Sequence, residues 1–242
     1  MITPRDIEKK TMSPQKRETA KRDLFAFYVG RPLTYILTIP FLYTNISPNT
    51  VSYLSFIPTI LGFVLLWVGQ TKSALVWGWF SFFMWSMLDG VDGNIARYKR
   101  QYSKIGDTLD AAAGYFAMAL IFLGAGIAAA NGTDKLLCGL PIRSADYIVF
   151  GSLSSLFTVL PRLIMHKAIS STGDKDAGGV KNRATYSFSK AVALNITSIP
   201  GFVQIFLLIC ILTDTLGLYT IGYALVNCAV MIISLRSVFR IK

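Results

Sequence analysis

Six stretches of this chain are long and apolar enough to cross a bilayer, which removes most of what 242 residues can otherwise fold into. A helix needs roughly 20 apolar residues to traverse the hydrocarbon core, where each backbone polar group must be satisfied within the segment. Segments 48–70, 73–97, 105–131, 145–168, 187–213 and 215–238 meet that need. Pro48, Asn131-Gly132 and Thr213-Asp214 mark span ends. A hydrophobic fraction of 53% against 15% charged residues, with mean hydropathy +0.50, excludes an ordinary soluble domain. The three cysteines, Cys138, Cys210 and Cys228, form no CxxC pair and read as small apolar filler.

Charge sets the orientation. The net charge is +11, and 21 of the 24 Lys and Arg residues fall on one side when the six spans alternate. The positive-inside rule then places both termini in the cytoplasm. These cations flank apolar spans and accompany no nucleic-acid-binding motif, so they suit anionic lipid and exclude nucleic acid as a partner. Residues 1–23 are basic and lack an apolar h-region, so the segment does not read as a cleavable signal peptide. Basic residues followed by Leu24, Phe25, Phe27, Tyr28, Ile36, Leu37 and Phe41 suit an amphipathic helix in the interface leading into a partly buried segment. The expectation is an all-α integral membrane protein with six transmembrane helices behind an interfacial helix, divided into an N-terminal segment 1–45 and a membrane domain 46–242.

The acidic residues are distributed unevenly. Asp89 and Asp92 lie three apart near the end of the second span, and Asp107 and Asp110 lie three apart at the start of the third. Each pair shares a helix face, and a short loop brings the pairs toward each other at the cytoplasmic side. Carboxylates near membrane depth are costly and mark function. Oxygen-only donors favour a hard cation such as Mg²⁺, which keeps company with phosphates. Gly90, Gly93 and Ala96 remove bulk beside the acids, and Arg97 supplies a guanidinium suited to a diphosphate. Solvated interface carboxylates are the plainer reading, but four interleaved with small residues weigh against it.

Asp89, Asp92, Gly93, Ala96 and Arg97, then Gly106 after eight residues and Asp110 after three more, match seven positions of a known pattern. The stretch resembles the CDP-alcohol phosphotransferase signature, D-x2-D-G-x2-A-R-x8-G-x3-D-x3-D. The six-span layout, the interfacial helix and Ser47-Pro48-Asn49-Thr50 are also similar to that family. The resemblance implies a membrane enzyme of phospholipid or related lipid synthesis. Such an enzyme moves a substituted phosphoryl group from a CDP-linked donor to an alcohol and releases CMP. It implies Mg²⁺ or Mn²⁺ at two sites, with Asp89, Asp92 and Asp110 as metal ligands. It also implies CDP contacts from Gly93, Ala96, Arg97 and Gly106, and a homodimer. The last aspartate of the signature falls at position 114, where this chain has Gly114. In the family that carboxylate is the proposed base and helps hold the second metal, so here the base is unassigned. Asp107 is the nearest spare carboxylate, and Tyr102 and Tyr115 are weaker hydroxyl candidates. A catalytically impaired relative that binds nucleotide or lipid is the alternative.

Arg162, Lys181 and Arg183 are candidate contacts for a phosphorylated acceptor, beside the plainer positive-inside reading. The only histidine, His166, reads as a solvated residue at a span end. The aromatic run Trp77, Trp79, Phe80, Phe82, Phe83 and Trp85 reads as lipid-facing, and the small residues of the third span as a close-packing face.

Overall fold

The structure, a computed structural model, describes residues 1–132, 136–137, 140–172 and 188–239. The helices are α1 (Pro4–Thr11), α2 (Pro14–Ala20), α3 (Arg31–Leu42), α4 (Pro48–Val68), α5 (Lys72–Lys99), α6 (Gly106–Asn131), α7 (Ser144–Thr172), α8 (Phe188–Ile196), α9 (Gln204–Leu212) and α10 (Leu216–Phe239). Two π-helical turns, Ala26–Gly30 and Ile199–Val203, lead into α3 and α9. The described strand pairing is a two-residue antiparallel ladder, Leu136–Leu137 with Leu140–Pro141.

Local chemistry places the helix starts. Thr3 and Asp6 form a capping box, with Pro4 in the first turn of α1. Ser13, Ser47 and Thr71 each accept a backbone N–H at the start of α2, α4 and α5. Asp214 takes a left-handed φ of 58° in the tight turn between α9 and α10. Lys72 Nζ donates to Asp214 Oδ2 at 2.7 Å and to the Leu212 carbonyl at 3.0 Å, tying the start of α5 to that turn.

Helices α4, α6, α7 and α10 are each long and apolar enough to cross a membrane. The second expected span is α5, which has the length at 28 residues but is polar through its last turns. The fifth, expected as one helix over 187–213, is interrupted. Pro200 brings no N–H, Gly201 leaves helical geometry at φ −115° and ψ −124°, and the chain resumes as α9. The interruption is used: Ser198 Oγ donates to Asp23 Oδ2, and Asn195 accepts from Leu24 N at 2.8 Å and donates to the Arg22 carbonyl at 2.7 Å.

One core runs along the membrane domain through Leu66, Phe82, Trp85, Ile121, Phe122, Tyr147, Leu207 and Tyr219. The aromatic run of α5 therefore divides: Trp77 and Phe80 are exposed, whereas Phe82 and Trp85 are buried, because the run winds around the helix. Gly126 of α6 and Gly151 of α7 meet backbone to backbone. A Cβ at Gly126 would lie 2.7 Å from the Tyr147 carbonyl and 2.9 Å from Gly151 Cα. A second core joins Ile7, Tyr35, Leu42, Val51, Val91 and Ile95, so α1 docks on α3 and the end of α5. Where one interfacial helix and a partly buried segment were expected, the chain forms α2, a π-helical turn and α3, preceded by a further short helix, α1, anchored by a fully buried Ile7. Cys210 and Cys228 are free and half-buried, while Cys138 lies outside the described residues.

Candidate active site

The last three turns of α5 are gripped from both sides. A Cβ at Gly90 would meet Thr34 Cγ2 at 2.6 Å, so α3 approaches closely there. Asp92 is buried and accepts a short hydrogen bond from Ser52 Oγ on α4. Asn94, also buried, donates to Thr38 Oγ1 at 3.1 Å. Lys99 Nζ donates to the Thr44 carbonyl at 2.6 Å, satisfying the C-terminal end of α3. Arg100 then takes a left-handed φ of 54°, and Gln101 N donates to the Ala96 carbonyl at 2.9 Å. That turn ends α5 and sends the chain toward α6.

Arg97 lies over Gly93: a Cβ there would sit 2.8 Å from Arg97 Nη2. The guanidinium makes one long hydrogen bond, 3.4 Å to Asn94 Oδ1, and its Nε is buried with no partner among the described residues. The buried Tyr35 hydroxyl is equally unpartnered there. Removing such donors from water without a partner is unfavourable, and an anion is the kind of group that would satisfy them. Lys16 of α2 and Arg31 act electrostatically on the same corner. Burial, then the charges of Arg97 and Arg31, lowers the Lys16 ammonium to about 8.

The loop back to α6 is pinned by a reciprocal pair: Asn49 Nδ2 donates to Ser103 Oγ, and Ser103 Oγ to Asn49 Oδ1, both at 3.0 Å. Gly106 opens α6 where a Cβ would press on Ser103 Oγ at 3.0 Å. Asp107 and Asp110 follow on its exposed face. Helix α4 packs extensively on both α5 and α6, which touch each other only sparingly. Helix α4 therefore holds the two acid-bearing helices in place more than they hold each other. Asp110 acts electrostatically on both Asp89 and Asp92, and Arg97 acts on Asp92 and Asp110. Among the described residues no three carboxylate, imidazole or thiolate groups converge tightly enough to hold a metal ion as they stand. The donor chemistry, all carboxylate oxygen beside an anion-seeking arginine, nevertheless suits a hard divalent cation.

Position 114 is open: a Cβ on Gly114 would meet only Met118 Cε, at 3.9 Å. No packing demand explains the glycine. Helix α7 closes the far side, where Arg162 contacts Met118 Sδ and the Tyr115 hydroxyl lies 2.8 Å from His166 Nδ1. His166 is exposed as expected but is not merely solvated. Tyr102 is 74% exposed on the loop. Lys181 and Arg183 lie outside the described residues.

Sequence reasoning missed Ser52, Thr38, Asn94, Tyr35 and Lys16, which come from four helices, α4, α3, α5 and α2. Ser52 lies one helical turn after Pro48, a signal visible only once α4 is known to face Asp92. A family model described as CDP-alcohol phosphatidyltransferase matches residues 45–235. No curated protein matches the chain.

Proposed function

Since the chain belongs to the CDP-alcohol phosphatidyltransferase family, whose members transfer a phosphatidyl group from a CDP-alcohol, we propose that it is an active membrane phosphotransferase of lipid synthesis. It takes a CDP-linked lipid or alcohol donor, passes the substituted phosphoryl group to an alcohol and releases CMP. The observation that carries this reading is the grouping of Asp89, Asp92 and Asp110, whose charges act on one another, with an Arg97 that acts on Asp92 and Asp110 and whose buried Nε lacks a partner among the described residues.

In this reading Arg97 binds the donor diphosphate, and Gly93, Ala96 and Gly106 let the CDP moiety lie against the backbone. Asp89, Asp92 and Asp110 would hold Mg²⁺ or Mn²⁺, which supplies charge neutralisation at the transferring phosphoryl group. Asp107 is the remaining carboxylate on α6. The acceptor enters from the α7 side, where Arg162 favours an alcohol bearing phosphate, with Lys181 and Arg183 as further acceptor contacts. Six crossings, counting α5 and the interrupted α8–α9 pair, put both termini and the site on the cytoplasmic face. Residues 46–242 form the membrane domain and 1–45 its N-terminal segment, and the protein works as a homodimer in the membrane.

The test is CMP release by purified protein given CDP-diacylglycerol, Mg²⁺ or Mn²⁺ and a panel of alcohols with and without phosphate. Metal-dependent release identifies the acceptor. Gly114 favours one competing reading, a relative that binds donor without turnover. Metal-dependent CDP-lipid binding without CMP release would establish it.

A further inference from the structure

The family signature ends on a carboxylate that this chain lacks, and a Cβ at that position would meet only Met118 Cε, at 3.9 Å. Tyr115 follows Gly114 directly and is half-buried between α6 and α7. Its hydroxyl is 2.8 Å from Nδ1 of His166, the only histidine in the chain. The two rings pack with centroids 5.8 Å apart. Helical side chains lean toward the N-terminus of their own helix, so Tyr115 leans along α6 in the direction of its acid-bearing first turns. Arg162 faces the same phenol from α7, while Asp107 and Asp110 are the charged groups preceding it on α6. His166 is exposed, so a proton arriving there can leave to water.

Resting on the phosphotransferase reading above, we propose that Tyr115 and His166 together receive the proton of the acceptor hydroxyl, in place of the carboxylate missing at position 114. The acceptor oxygen forms a bond to the donor's β-phosphorus, and the bond from that phosphorus to the bridging oxygen breaks. CMP departs with the electron pair. The hydroxyl proton passes to Tyr115 Oη as the tyrosine's own proton moves to His166 Nδ1, and the imidazolium returns its proton to solvent. An imidazole, with an ordinary value near 6.5, suits a base at neutral pH.

The experiment measures CMP release against pH for the intact protein, Tyr115→Phe, His166→Gln, Gly114→Asp and Gly114→Asp/Tyr115→Phe, with elution profile and melting temperature as folding controls. Tyr115→Phe removes one oxygen and His166 is exposed, so both variants should fold. Because the chain has one histidine, ¹⁵N-histidine NMR reads its titration directly. The expected results are a loss of about a hundredfold in kcat for Tyr115→Phe and His166→Gln with donor KM unchanged. The acid limb of the wild-type profile should coincide with the His166 titration. Gly114→Asp should restore the Tyr115→Phe chain to within about tenfold of wild type and move the limb to carboxylate pH values. Wild-type turnover with unchanged kcat and limb in Tyr115→Phe would overturn the proton path alone. CMP release only after Gly114→Asp would also overturn it, while leaving the donor site intact. Release from neither chain would overturn the proton path and the phosphotransferase reading together.

Discussion

The two arms of the site are built in opposite ways. The α5 arm is buried and gripped: Asp92 by Ser52, Asn94 by Thr38, Gly90 by Thr34, and Lys99 by the end of α3. The α6 arm is exposed, its Asp107 and Asp110 accept no hydrogen bond among the described residues, and Gly114 leaves room beside them. A gripped carboxylate is preorganised and a free one can adjust. In the proposed reaction the α5 arm would set where the donor's phosphates lie, and the α6 carboxylates would adjust to them. This division accounts for acids that sense one another yet do not form a ready-made metal cage.

The strongest way to break the comparison is to remove one carboxylate from each arm. Asp92→Asn and Asp110→Asn should each cut CMP release by a hundredfold to a thousandfold, on the order expected for losing one electrostatic group at a transition state. The arms should separate in stability. Asp92→Asn alters a buried, hydrogen-bonded group and should move the melting temperature by several degrees, whereas Asp110→Asn should leave it nearly unchanged. Equal shifts would erase the distinction.

Glycine replacements sharpen it with opposite signs. Gly90→Ala places a methyl 2.6 Å from Thr34 Cγ2 and should destabilise by about 1–3 kcal/mol. Gly114→Ala meets nothing nearer than 3.9 Å and should stabilise α6 by up to about 1 kcal/mol. Thermal melts of the two variants in detergent test the pair. Ser52→Ala should cost about tenfold in activity, since it loosens Asp92 without removing it. A loss as large as that of Asp92→Asn would instead give the hydroxyl a direct role.

The smallest effect concerns Lys16. Its ammonium is lowered to about 8 from 10.5, so between those values the unfolded chain holds the proton that the folded chain has lost. Stability therefore rises with pH across that window, and the charge opposes folding below it. Lys16→Met should abolish that rise and lift the melting temperature slightly at pH 7. The difference between the two chains' melting curves over pH 7–10 measures it.

The helices were legible where composition forces them. Apolar runs over 48–70, 73–97 and 105–131, with Pro48 and Asn131-Gly132 as end markers, read directly as α4, α5 and α6, because caps and hydropathy act within a few residues. The break at Pro200-Gly201 was missed because the surrounding residues are as apolar as an unbroken span, and the Asp23–Ser198 contact that uses it joins residues far apart in sequence. The aspartates and Arg97 were legible from spacing alone. The surrounding Ser52, Thr38 and Tyr35 were not, since single hydroxyls on other helices carry no pattern.

From the sequence alone come a helical membrane protein, its family resemblance, the carboxylates and arginine of its site, and the missing carboxylate at Gly114. These follow from solvation, helical periodicity and residue chemistry, which operate over short stretches of chain. Only the tertiary structure decided that α4 packs on both acid-bearing helices, that α1 docks through Ile7, and that His166 meets Tyr115 beside the open position. Those are contacts between distant segments, selected by how side chains of particular shape fill the space between helices.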